Sequence, residues 1–270
     1  MMKKFFTTIR NIFSIEELRQ RILTTIILLV VFRMGSFIAL PGVDAQVMMN
    51  QEASGILGFL NDFLGGAFSR ASIFGLGIMP YISASIVIQL LTFTVPYFQK
   101  MQKDGESGRK KINQITRVLT IGIVIGQGIP YITGTIPAEA IMVPRSFFIF
   151  SSIVIITAGT MFCMWIGEKI TEKGIGNGVS MLIMIGIISR LPLALAQEWS
   201  SKGLNLALVF LIELIALFLV VMGVVMLTQA VRRVPVQYAK QMVGNKVYGG
   251  QRSFIPLKVN ASGVMPIIFA

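Results

Sequence analysis

The sequence contains no histidine and a single cysteine, Cys163. Without histidine and with one thiol, the usual zinc clusters cannot assemble. No internal disulfide can close either, so no oxidising compartment is indicated, and Cys163, inside an apolar run, reads as a small core residue. Charge is scarce as well: Asp, Glu, Lys and Arg make up 13% of the 270 residues, against 54% apolar. With a mean hydropathy of +0.76, the composition is far more apolar than a water-soluble surface can carry. The chain belongs in a bilayer. Acidic residues are the scarcer sign, 12 against 24 basic, which gives a formal charge of +12. Such an excess can mark a nucleic-acid binder, but here the bases cluster at the ends of apolar runs, where Lys and Arg set membrane orientation.

What is abundant is the apolar run of about 20 residues, long enough at about 1.5 Å per residue to cross about 30 Å of hydrocarbon. Spans are predicted at about 22–40, 75–96, 114–134, 146–167, 178–196 and 206–228, with a seventh opening near 258 and unfinished at Ala270. The basic start MMKKFFTTIR precedes a first run that reaches Leu40-Pro41 with no small-residue cleavage site after it. A retained first span is expected rather than a signal peptide. With a cytoplasmic N-terminus, 19 of the 24 bases fall on the inner side; Arg33, Arg70, Arg145, Arg190 and Lys202 are the rest. The positive-inside rule therefore fixes the orientation. Three regions follow: a cytoplasmic N-terminus, 1–21; a five-span unit, 22–205; and 206–270, with a basic inner loop at 229–257.

Two segments do not read as plain loops. Between Pro41 and Gly75 lies ILGFLNDFLGG, in which Ile56, Leu60, Phe63 and Leu64 share a helical face before Gly65-Gly66 stops the run. It is too short to span, which leaves a re-entrant half-helix or an amphipathic helix on the outer surface. The inner segment from Arg232 to Lys258 is too long for a simple turn, and its partly alternating VPVQYAK and NKVYGGQRSF suggest a projecting hairpin.

Five stretches carry a resemblance. FRMGSFIALPGVD at 32–44, GGAFSRASIFGLGIMPYISASIVIQLL at 65–91, GESGRKKINQITR at 105–117, GTMFCMWIGEKITEKGIGNGVS at 159–180 and PLKVNASGVMPIIFA at 256–270 resemble the bacterial SecY family. They occur in the same order and at similar separations, from Arg21 onward. The resemblance implies an all-α, polytopic transmembrane helical bundle: the first five-span half of an inverted-repeat channel, then span six and the start of span seven. The family has ten spans, so spans eight to ten are expected to lie beyond these residues, and a complete channel is not expected from them alone.

The resemblance also assigns roles. Ile78, Ile82, Val179, Ile183 and Ile268 correspond to an apolar pore ring, whose remaining member is outside this chain. Both pairs are spaced four apart, so each shares a helix face, and all are β-branched and stiff at χ1. Apart from the resemblance they read as ordinary packing residues. Residues 56–74 correspond to a plug below the ring, with Leu57, Phe59, Leu60, Phe63 and Leu64 as its apolar side chains and Gly65, Gly66 and Gly75 as its flexible ends. Ser83, Gln127 and Asn260 correspond to polar contacts of a lateral gate. Arg232, Arg233, Lys240, Lys246 and Arg252 lie where the family docks a SecA-type motor ATPase or a ribosome. SecE and SecG subunits, signal peptides, unfolded secretory proteins and membrane lipids complete the implied partners, and the bacterial inner membrane the implied location. The implied function is a protein-conducting channel, not an enzyme, with no cofactor.

Other motifs argue for less. GIGNG at 174–178 lacks the Lys-Ser/Thr and flanking strand of a phosphate loop and reads as a tight turn. Glu168 and Glu172, interleaved with Lys169 and Lys173, read as a solvated helix end. Arg33 and Glu213 fall within spans, where a charge needs a partner or water; structural pairing is the favoured reading for each. A solute transporter would need more such residues converging at the midplane. A membrane hydrolase would need a nucleophile and base or a metal cluster, and neither pattern is present.

Overall fold

The computed structural model describes residues 13–49, 61, 64–202, 206–237, 241–243, 246–248 and 252–259. The chain divides into two compact units, Met1–Ala194 and Leu195–Ala270. In the first, α1 (Glu16–Gly35) is followed by a short α2 (Ala45–Met49), then α3 (Met79–Thr94), α4 (Pro96–Lys103), α5 (Gly105–Thr135), α6 (Arg145–Lys173) and α7 (Gly178–Ile188). A helix α8 (Leu191–Lys202) crosses the division. The second unit continues with α9 (Ala207–Gln229) and strands β1 (Val231–Gln237), β2 (Gln241–Val243), β3 (Lys246–Tyr248) and β4 (Arg252–Lys258).

Among the described residues, four helical segments are long and apolar enough to cross a membrane: α5, α6, α7 with α8 (178–201), and α9. A fifth crossing arises if α3 and α4, bent by 98° at Val95, are taken as one span. α1 has the length, 20 residues, but carries Arg19, Arg21 and Arg33. The first six predicted spans thus recur as helices with shifted ends, while the seventh, expected to open near 258, falls on residues 260–270, outside the described residues. α1 starts six residues before position 22 and stops at Gly35 rather than 40, while α5 and α6 run to 105 and 173 because a helix can continue into water past its apolar stretch. The fifth span, predicted unbroken over 178–196, turns at Ser189–Arg190. Pro192 explains the break, since it has no N–H to donate back to Ile188.

α6 is the central post. Phe148, Ser152, Ile156, Gly159, Thr160, Cys163, Ile166, Gly167 and Ile170 form a buried stripe at three- and four-residue spacing. One core gathers Phe68, Leu76, Val124, Tyr131, Ile132, Phe148 and Ile156, and a second gathers Phe32, Phe74, Ile78, Cys163, Ile166, Ile170 and Leu182. The close approaches are made at glycines. A side chain at Gly159 would collide with the Ile73 carbonyl, and one at Gly178 with the Gly167 carbonyl. The α6–α7 turn is also tied down by polar contacts. Asn177 caps α7 by accepting from the amides of Val179 and Ser180, at 3.0 and 3.3 Å. Thr171 Oγ1 accepts from the Gly178 amide at 2.9 Å, and Thr25 Oγ1 of α1 from the Ile175 amide at 3.1 Å.

In the second unit β1 and β4 pair antiparallel with Val231 opposite Lys258 and Gln237 opposite Arg252, and β2 pairs with β3 between them. This is the hairpin that the alternation suggested, following the apolar α9 in sequence. Its exposed faces include Phe254, Ile255 and Leu257.

These contacts predict the stability order of three variants. Cys163 is fully buried, so a thiol-reactive dye reads unfolding in detergent directly. Asn177→Ala should cost about 1 kcal/mol through the lost cap. Gly178→Leu should cost more, because the Gly167 backbone cannot give way, and Gly176→Ala, with open space around it, should act only through its φ of 71°. Equal melting temperatures for Gly178→Leu and the unsubstituted chain would refute this packing.

Candidate functional site: an apolar constriction and its hinge

The segment between α2 and α3 decides where the site lies. Residues 64–78 form successive turns, with Gly65, Gly66 and Gly77 at φ of 65°, 86° and 53°. A left-handed backbone at these positions favours glycine, which has no Cβ to clash; Ala71, at φ 47°, adopts it as well. Of the predicted plug, residues 56–60, 62 and 63 lie outside the described residues. The part from Leu64 on is turns rather than the half-helix expected there. Three glycines and the absence of an uninterrupted apolar repeat account for this.

The segment is held by hydrogen bonds to its surroundings. The Leu40 amide donates to the Ala71 carbonyl at 2.8 Å and the Ile73 amide to the Ile38 carbonyl at 2.9 Å. Tyr131 Oη of α5 donates to the Phe68 carbonyl at 2.9 Å, and the Asn61 side chain accepts from the Ser69 amide at 3.0 Å. Backbone polar groups at membrane depth survive only with such partners. The bonds deliver Ile78 to a fixed place as the N-cap of α3.

There the predicted ring residues meet. The vacant side-chain position of Gly167 on α6 lies 3.5 Å from Ile78, 3.5 Å from Val179 and 3.5 Å from Leu182. Ile82 and Ile183, one turn further along α3 and α7, pack against the same apolar cluster. Two helix starts thus bring four β-branched side chains together beside α6. Ile268 lies outside the described residues. Leu182, fully buried at this junction, was not among the predicted residues; its three-residue step from Val179 on α7 is the only signal for it.

Of the predicted gate residues, Ser83 is half-buried on α3, whereas Gln127 is exposed on α5, off the buried stripe of Thr116, Thr120, Val124 and Gly128. Asn260 lies outside the described residues. A polar link does join the spans elsewhere: Arg117 of α5 meets Glu168 of α6 at 2.6 Å. Glu168, expected to be solvated beside Glu172, is therefore an inter-helix partner; a spacing rule applied along one helix cannot see a partner 51 residues away.

On the hairpin, Arg232 and Arg233 are exposed on β1, opposite Leu257 and Pro256. Lys246 opens β3 and Arg252 opens β4, while Lys240 lies outside the described residues.

With this geometry in hand, the chain was compared with known proteins. A family model described as SecY matches residues 72–270. A protein translocase subunit SecY of Escherichia coli (strain K12) is 48% identical over 266 residues, covering 95% of this chain and 60% of that protein. One of Buchnera aphidicola subsp. Schizaphis graminum is 44% identical over 281 residues, covering 100% of this chain and 64% of that protein. The chain thus spans under two thirds of the length of these relatives. Among solved structures, a protein-conducting channel matches with a TM-score of 0.65 at 18% identity, over 93% of this chain and 55% of that one. The Sec61 channel from a canine ribosome–channel complex matches with a TM-score of 0.59, over 81% and 49%.

Proposed function

The chain belongs to the SecY family, and on that premise we propose that it supplies the first half and the start of the second half of a protein-conducting channel. The channel moves secretory proteins across the bacterial inner membrane and releases membrane proteins into it. The observation that carries this reading is the convergence of Ile78, Val179 and Leu182 over Gly167, with Ile82 and Ile183 alongside. Stiff apolar side chains at a narrow point exclude ions by dewetting, while a polypeptide that displaces them can pass. A solute transporter is disfavoured by the same site, which gathers apolar side chains where a transporter gathers ionisable ones.

The plug reading rests on the turns 64–78 lying directly before the ring, with left-handed glycines at both ends of the run. The lateral-gate roles of Ser83, Gln127 and Asn260 rest on the family resemblance. The hairpin is proposed as the docking surface for a SecA-type motor or a ribosome, since its two long strands carry Arg232, Arg233 and Arg252 on one antiparallel ribbon. SecE and SecG are the proposed membrane partners. A cytoplasmic N-terminus is proposed, supported by the distribution of Lys and Arg.

In a channel completed with the remaining spans, replacing Ile78, Ile82, Val179 and Ile183 together by Ser should raise resting ion leak in planar bilayers, because polar groups wet the constriction. Unchanged conductance would remove the ring from these positions.

Reversing the charge of Arg232, Arg233, Lys240, Lys246 and Arg252 together should slow motor or ribosome association by about ten-fold, most strongly at low salt, and leave membrane insertion intact. Association at the original rate would refute the docking surface.

A further inference from the structure

Arg33 is a charge within a membrane helix, and its surroundings say what it does. It sits in the last turn of α1, half-buried, and its Nη1 donates to the Gly65 carbonyl at 3.0 Å, a contact between residues 32 apart in sequence. Gly65, at φ 65°, is wedged between two helices: a side chain there would lie 2.6 Å from Arg33 Nη1 and 2.7 Å from the Gly186 carbonyl of α7. One turn beyond Arg33, the ring of Phe37 has the Arg33 guanidinium 5.1 Å from its centroid and that of Arg70, from the far side of the hinge, at 4.4 Å. Arg33 and Phe37 thus join the end of α1 to Gly65 and to Arg70, which follows the Gly65–Gly66 pair.

We propose that Arg33 is a positioning residue that clasps the Gly65–Gly66 hinge against α7, and so holds the segment before the pore ring in its closed place. The proposal rests on the plug reading for its functional meaning, but the clasp is a geometric claim of its own. The physics favours a two-state device. A guanidinium in a membrane helix is costly unless it has partners, and a charge-assisted bond to a carbonyl together with an aromatic face supplies them. Phe37 lies one turn along the same stretch of chain, but the Gly65 carbonyl is a partner only while the hinge is docked. When it leaves, the Gly65 carbonyl and the guanidinium must both find water, which a hydrated channel mouth provides and a sealed one does not. The same contact is therefore strong in the closed state and dispensable in the open one. Glycine is required at 65 on two counts, its positive φ and the absence of room for a side chain. Arg33 snorkelling to lipid phosphate is the competing reading, and it makes no use of Gly65.

The test uses the chain as it stands, in nanodiscs. Ser69 has a buried Oγ with no hydrogen-bond partner among the described residues, so Ser69→Cys is a nearly isosteric reporter beside the hinge, and the native thiol, Cys163, is fully buried and serves as an internal control. Labelling of the introduced thiol by a charged maleimide is expected to accelerate about ten-fold or more when Arg33→Gln is added, the shift that follows loss of a charge-assisted hydrogen bond. Gly65→Ala should do the same, the two changes together no more than either alone, and Arg33→Lys should restore part of the protection. Labelling of Cys163 should stay slow throughout. Unchanged labelling at position 69 with either change overturns the clasp in favour of snorkelling. Acceleration at Cys163 as well overturns it in favour of general loosening. Failure of the plug reading is separately visible: deletion of 57–66 in a completed channel would then leave ion leak unaltered, whatever the labelling shows.

Discussion

A turn-rich backbone placed among membrane helices must have its N–H and C=O groups satisfied by protein, and the rest of this structure is arranged around that requirement. Residues 64–78 meet it with partners from three directions: Ile38 and Leu40 in the stretch following α1, Tyr131 on α5, and Arg33 near the end of α1. The helices in turn come close enough to serve because side chains are missing where they are needed. Gly35 faces the Phe74 ring, Gly75 the Tyr131 hydroxyl and Gly159 the Ile73 carbonyl. A membrane offers little hydrophobic drive for helices to associate, so close packing at small residues and a few polar contacts hold them together.

The proposed constriction depends on this arrangement. Ile78 reaches Gly167 only because the turns before it end at a fixed point, and Val179 reaches it only because Asn177, Thr171 and Thr25 pin the α6–α7 turn. Two helix starts, one preceded by left-handed glycines and one capped by Asn177, meet beside α6 at Gly167.

Much of this was legible in the sequence, and what was not has definite causes. Hydropathy located the spans because an apolar stretch of fixed length is a one-dimensional signal, but it misplaced their ends, since α5 and α6 carry charged turns beyond the apolar run. The 98° bend at Val95 was only half visible: it falls at the predicted end of the second span, about position 96, but the short helix that follows was not expected. Contacts such as Tyr131 with Phe68, or Thr25 with Ile175, join residues 63 and 150 apart and leave no local trace. Ile78, Ile82, Val179 and Ile183 were singled out by family resemblance alone, for nothing in their type separates them from other Ile and Val residues. Leu182, at the same junction, escaped notice for that reason.

The central claim is that the turns 64–78 fold back to set the start of α3 against the start of α7. The direct measurement is cross-linking of Ile78→Cys with Val179→Cys in a Cys163→Ala background, in membranes, using a short bifunctional reagent. The account predicts rapid linkage of this pair and none between Val179→Cys and Val118→Cys, which lies on an exposed face of α5. Failure of the first pair to link, with both thiols shown to be reactive singly, would contradict it.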